Sequence, residues 1–207
     1  GRSLGSTRGL VNLQSGKLVN FVEFQNLKQL DSAYKKRKGV IVPSVHTANV
    51  FHIIAGLVFH PNIYHVSVVA NMNNELLFKQ LLQREELSNL TVVGTSNYKN
   101  LREELEKRLN LGDIVVLMVD FSNKNQLKIP FWEGQYPYYY PFPQSCVALH
   151  LKTGAPIVPC LIKPNGSLSA SILDFRSPIT PTQVEKKHNK IHGKPKSEIH
   201  GHLSTQI

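Results

Sequence analysis

Two polar residues close apolar runs in this chain. His46 follows Val40–Val45, and Asp120 follows the run that opens at Asp113 and passes through Val119. An imidazole keeps a lone pair near neutral pH, so a histidine at a strand end can take the proton of a substrate hydroxyl as a general base. A carboxylate beside it can orient the ring or hold a substrate group. There are nine histidines, and for any one of them a capping or core role is commoner than catalysis. The residue five places beyond His46, where a carboxylate would help the ring, is Phe51. A register shifted onto His52 brings no acid closer either.

The elements that would position these residues follow from periodicity. A short strand is expected over Leu18–Phe24, then a helix over Asn26–Lys38 with Leu27, Leu30 and Ala33 on one face and a stop at Gly39. Val40–Val45 reads as a buried strand in which Pro43 marks an edge or a bulge. A helix is expected from about Thr47 to Phe59, a strand over Ile63–Ala70, a helix over Asn73–Glu86 and a strand over Leu90–Gly94. Leu101, Leu105 and Leu109 recur every fourth residue in the clearest helix, which ends at Gly112. The apolar run before Asp120 suits a strand covered on both faces. A long loop is expected over 120–143, then a helix over Gln144–Lys152, a strand over Ala155–Ile162 and a last strand over Ser167–Phe175. Alternating strands and helices define an α/β fold with a mostly parallel central sheet and helices on both faces. In such a sheet, ligands bind beyond the carboxyl ends of the strands, where both His46 and Asp120 fall.

The 207 residues suit one domain, and both ends read as unfinished, as in a piece of a longer chain. Residues 182–207 form a basic, weakly patterned segment. Cys146 and Cys160 have no disulfide or metal spacing and read as core residues of a reducing compartment. His188 and His192 share an i, i+4 spacing without a carboxylate or thiol partner, so a solvated segment is expected there and no metal site. No apolar stretch reaches the roughly 20 residues of a membrane span.

The formal charge of +10 lies at the two ends. Residues 1–38 hold eight Lys/Arg against two acids and residues 186–207 five against one, while 39–185 balance at eleven each. That distribution favours an anionic partner. Between Pro130 and Pro143 lie seven aromatics, including Phe131 and Trp132, and four prolines. This stretch could line an acyl-chain groove or rest at a lipid interface, or it could be a rigid loop packed at the sheet edge. Aromatics near basic ends could also stack on nucleic acid, but nothing else points there, and no nucleic acid is expected.

The sequence resembles the lysophospholipid acyltransferase superfamily. Within it, the bacterial lauroyl/myristoyl acyltransferases of lipid A synthesis are most similar, in a branch that includes phosphatidylinositol mannoside acyltransferases. Gly39–Phe51 resembles the family's strand followed by His-Phe-Gly-Asn-Trp-Glu. Asn110–Asn125 resembles its Gly-led apolar strand ending in Asp-Gln and a basic loop. Lys128–Gly134 resembles Val-Pro-Phe-Phe-Gly, and His150–Ile162 resembles its helix, Thr-Gly-Ala-Pro and Val-Pro strand. The likeness spans roughly Val22–Ile172 and implies a glycerolipid acyltransferase-like fold.

It also implies transfer of a fatty acyl group from an acyl carrier protein or coenzyme A thioester to a hydroxyl of a lipid or lipid-linked sugar. No metal or organic cofactor is implied, and the thioester is a co-substrate. By position, His46 is the base, Asn49 the amide beside it and Asp120 a second acid, while Lys124 and Lys128 lie where cations meet a phosphate. The expected setting is the cytoplasmic face of a membrane, bound peripherally to its anionic surface or anchored by a segment outside this chain. The departure is at Phe51, which takes the place of the family's acid. Either Asp120 or a backbone carbonyl then holds the ring, or the chain is a degenerate homologue that binds an acyl chain, lipid or carrier protein without reaction.

Overall fold

The computed structural model describes residues 22–47, 50–70, 87–95, 98–120, 126–133 and 136–179, without the side chains of 98–99, 126–142 and 167–169. The helix expected over Asn73–Glu86 and the basic segment 182–207 lie outside the described residues.

Strands β2 (Val40–Ser44), β3 (Val66–Ala70), β4 (Leu90–Gly94) and β5 (Ile114–Met118) form an all-parallel sheet in the order β2-β5-β3-β4. Strand β1 (Val22–Gln25) pairs in parallel with β9 (Ser167–Phe175), which pairs antiparallel with β8 (Cys160–Asn165). Ile157, just before β8, bridges in parallel to Ile41 of β2 and joins the two sheets edge to edge.

Alternation along the strands builds two cores, one on each face. Val40, Val42, Val66, Val68, Ile114 and Val116 face α1 (Lys28–Tyr34) and α2 (Phe51–Val58), meeting Leu30, Ala33, Ile53 and Leu57. Ile41, Val115, Leu117 and Val119 face the other way, toward α3 (Tyr98–Asn110) and α4 (Ser145–Thr153). There they meet Leu105, Leu109, Val147 and Leu149. The chain is thus an α/β fold with a mostly parallel sheet and helices on both faces. Cys146 and Cys160 are buried free thiols.

Two glycines let the layers close. A Cβ on Gly39, at φ +66°, would stand 2.5 Å from the Leu109 carbonyl oxygen, so only glycine admits the end of α3 there. A Cβ on Gly56 would meet Leu173 and Val22 at 3.0 Å, which is how α2 lies so close on β1 and β9.

Several boundaries differ from the sequence reading. Helix α1 stops at Tyr34 rather than running to Lys38, because Lys36 and Arg37 bond three residues back and Arg37 turns left-handed at φ 53°. Helix α2 begins at Phe51, not Thr47, since the Thr47 N–H is taken by the Val45 carbonyl in a tight turn at 2.8 Å. Strand β8 begins at Cys160, past Pro156 and Pro159, neither of which can donate to a ladder.

The long loop expected over 120–143 is, over much of its length, an antiparallel hairpin of β6 (Gln126–Glu133) and β7 (Tyr136–Pro143). Aromatic residues favour strands, and the prolines are compatible with one for a specific reason. An antiparallel ladder alternates hydrogen-bonded and non-bonded pairs. Pro143, Pro141 and Pro137 pair with Gln126, Lys128 and Trp132, and Pro130 pairs with Tyr139. All four pairs belong to the same alternate class, so every missing donor faces outward.

Candidate active site

The carboxyl ends of β2 and β5 place His46 and Asp120 together. Even-numbered residues of β2 turn their main-chain groups toward β5: the Val40 N–H meets the Asp113 carbonyl at 3.0 Å, and the Ser44 carbonyl accepts the Val119 N–H at 2.8 Å. The next rung is the N–H of His46. It is taken by a side chain, Asp120 Oδ2, at 2.7 Å. The other oxygen, Oδ1, lies 2.7 Å from His46 Nδ1. One carboxylate thus ends the ladder and holds the ring.

Against an ionised carboxylate, which only accepts, Nδ1 must carry the proton, which leaves the lone pair on Nε2. Burial acts to raise the Asp120 pKa, but the hydrogen bonds from the His46 main chain and ring outweigh it and hold the carboxyl below its ordinary value. The pair is not sealed away: the His46 side chain keeps 36% of its surface exposed and Asp120 25%.

Phe51, in the place of the family's acid, is half-buried at the first residue of α2 and packs against the core between that helix and the sheet. His52 is buried, with Nδ1 2.8 Å from Ser171 Oγ on β9, and burial holds its pKa below the ordinary value. His150 donates from Nδ1 to the Ala155 carbonyl at 2.7 Å and so ties α4 to the turn that follows it. These two imidazoles join elements of the core, whereas His46 faces an acid at an open edge.

None of the other residues expected at the site has a described side chain. Asn49 and Lys124 lie outside the described residues. Lys128, Phe131 and Trp132 are on β6, where their main chains pair with Pro141, Tyr138 and Pro137 of β7. Their side chains are outside the description. Among the described residues no group of three or more His, Cys, Asp or Glu is arranged to hold a metal ion. No described helix is long and apolar enough to cross a membrane.

Two residues that the sequence reading passed over lie beside the pair. Ser44 Oγ donates to the Cys160 carbonyl at 2.8 Å, and Thr47 Oγ1 donates to the Ile162 carbonyl at 2.6 Å. Their signal in the sequence was a proline followed one and four residues later by hydroxyls.

The histidine–carboxylate pair stands at the carboxyl ends of two adjacent parallel strands, where open α/β sheets bind their ligands. The profile of the bacterial lipid A biosynthesis acyltransferases matches residues 1–190, and the chain belongs to that family. No curated protein matches the sequence.

Proposed function

We propose that this chain moves a fatty acyl group from a thioester, carried by an acyl carrier protein or coenzyme A, to a hydroxyl of a lipid or lipid-linked sugar. The observation that carries this reading is the 2.7 Å contact between His46 Nδ1 and Asp120 Oδ1, because it leaves Nε2 as the basic nitrogen. Nε2 takes the proton of the acceptor hydroxyl as its oxygen attacks the thioester carbonyl carbon. The Asp120 carboxylate stabilises the imidazolium that forms. The tetrahedral adduct collapses, the carbon–sulfur bond breaks, and the thiolate leaves with the proton returned from Nε2. Asp120 takes the part that the family's motif gives to the residue at position 51.

Lys124 and Lys128 would meet a phosphate of acceptor or donor, Asn49 would bind acceptor polar groups, and Phe131 and Trp132 would contact the acyl chain. The excess of cations outside 39–185 suits an anionic membrane surface on the cytoplasmic side and an acidic carrier protein. Phe51 supports a second reading, a binding subunit that has lost the reaction.

The test is transfer of labelled acyl chains from both donor types to lipid acceptors, with wild type and His46→Ala. We expect transfer by wild type and a fall of about 10³-fold or more in the variant. Equal transfer by both proteins removes His46 as the base. No transfer by wild type with either donor favours the binding subunit.

A further inference from the structure

Strand β2 has unlike neighbours on its two sides. Toward β5 its ladder is regular and ends in the Asp120 carboxylate. Toward the segment leading into β8 the odd-numbered residues face: Ile41 donates to the Pro156 carbonyl at 2.9 Å and accepts from the Val158 N–H at 2.8 Å. The next donor on that side would be Pro43, which has no N–H. The Val45 carbonyl, two residues on, is turned back onto the Thr47 N–H. The backbone seam between β2 and β8 therefore weakens just below His46.

Hydroxyls take over at that point. The carbonyls of Cys160 and Ile162 belong to buried residues, each 1% exposed, and a buried carbonyl left without a donor is costly. Ser44 Oγ supplies one and Thr47 Oγ1 the other. The two contacts are not equivalent. Ser44 lies within β2 and is held by its ladder as well. Thr47 lies in the turn after the strand, is exposed, and is the residue next to His46. His46 is thus fixed on its β5 side through its own N–H and ring, and on its β8 side through its neighbour's hydroxyl.

We propose that Thr47 is a positioning residue for the acyl-transfer reaction: its bond to the Ile162 carbonyl holds the turn so that the His46 ring meets Asp120 and presents Nε2 at a fixed place. The inference rests on the reading of His46 as the base. A base must lie within hydrogen-bond reach of its proton, and an ångström of misplacement can cost on the order of 10²-fold in rate. A turn tied on one side only can swing the ring by that much.

The test compares Thr47→Val, which keeps the shape and loses the hydroxyl, with Thr47→Ser, which keeps the hydroxyl. Three properties are read in each full-length protein: kcat and KM for acyl transfer, the thermal midpoint, and the His46 ring tautomer from nitrogen NMR shifts. We expect kcat to fall roughly 10- to 100-fold in Thr47→Val, with KM within about threefold of wild type. The fall should far exceed the fraction unfolded at the assay temperature, and the NMR should show mixed ring tautomers. Thr47→Ser should recover most of the rate and a single Nδ1–H tautomer. Wild-type kcat and a single tautomer in Thr47→Val overturn the proposal, as does a rate loss that the thermal midpoint fully explains or that Thr47→Ser shares. The tautomer reading does not depend on turnover. If His46→Ala retains full activity, the base assignment fails, while the NMR still decides whether Thr47 sets the ring.

Discussion

Strand β5 carries an aspartate at each end, and the two have opposite surroundings. Asp113, at the amino end, is 6% exposed and accepts the Ser67 hydroxyl at 2.6 Å, with Arg108 Nε 3.7 Å away. Its main chain pairs with Val40 and with Arg108. Asp120, at the carboxyl end, is partly open and faces a titratable ring. A carboxylate that accepts from a hydroxyl beside a guanidinium has partners that do not change near neutral pH, so it joins elements. A carboxylate whose partner is an imidazole can fix a tautomer and stabilise a passing positive charge. Residue type does not separate the two. The end of the strand and the identity of the partner do.

That contrast can be broken most decisively at Asp120. In Asp120→Asn the amide can still accept the His46 N–H through its oxygen, but its NH₂ then faces Nδ1 and favours the wrong tautomer. We expect kcat for acyl transfer to fall about 10³- to 10⁴-fold, with urea unfolding close to wild type. Activity within tenfold of wild type would make the two aspartates alike. In Asp113→Ala the order reverses: Ser67 loses a buried acceptor and Arg108 a nearby negative charge. Stability should drop by about 1–3 kcal/mol in urea titrations, with kcat per folded molecule unchanged.

Phe51→Glu sharpens the same point. If Asp120 already holds the ring, restoring an acid at 51 adds no rate and loses packing worth roughly 1–2 kcal/mol. A gain in acyl transfer in this variant would show that Asp120 does not suffice. The smallest effect is on pH dependence. The Asp120 pKa is lowered on folding from about 3.9, so its contribution to stability is present above about pH 4 and is lost as the pH falls through the folded value. Unfolding midpoints between pH 6 and pH 3 should therefore change slightly less in Asp120→Asn than in wild type.

Much of the scaffold was legible because burial writes a period into the sequence. The fourfold spacing of Leu101, Leu105 and Leu109 gave α3, and Gly112, at φ +92°, ends it as read. The apolar run before Asp120 gave β5. His46 and Asp120 were legible as strand ends, but their contact was not, because it depends on β2 and β5 being neighbours, which no local pattern states. The β6–β7 hairpin was read as a long loop, because four prolines among the aromatics also suit a rigid loop. Their parity, all in one class of pairs, is a strand signal that appears only when the register is considered. The start of α2 was misplaced because the Val45–Thr47 turn is fixed by hydroxyl and carbonyl contacts that come from β8, far along the chain.

The two oxygens of Asp120 have separable duties, one to the backbone and one to the imidazole. The duty to the backbone asks only for an acceptor oxygen, which an amide would also supply, whereas the duty to the ring needs a group that cannot donate. Exchanging the acid for its amide would therefore leave the strand end intact and disturb the ring alone.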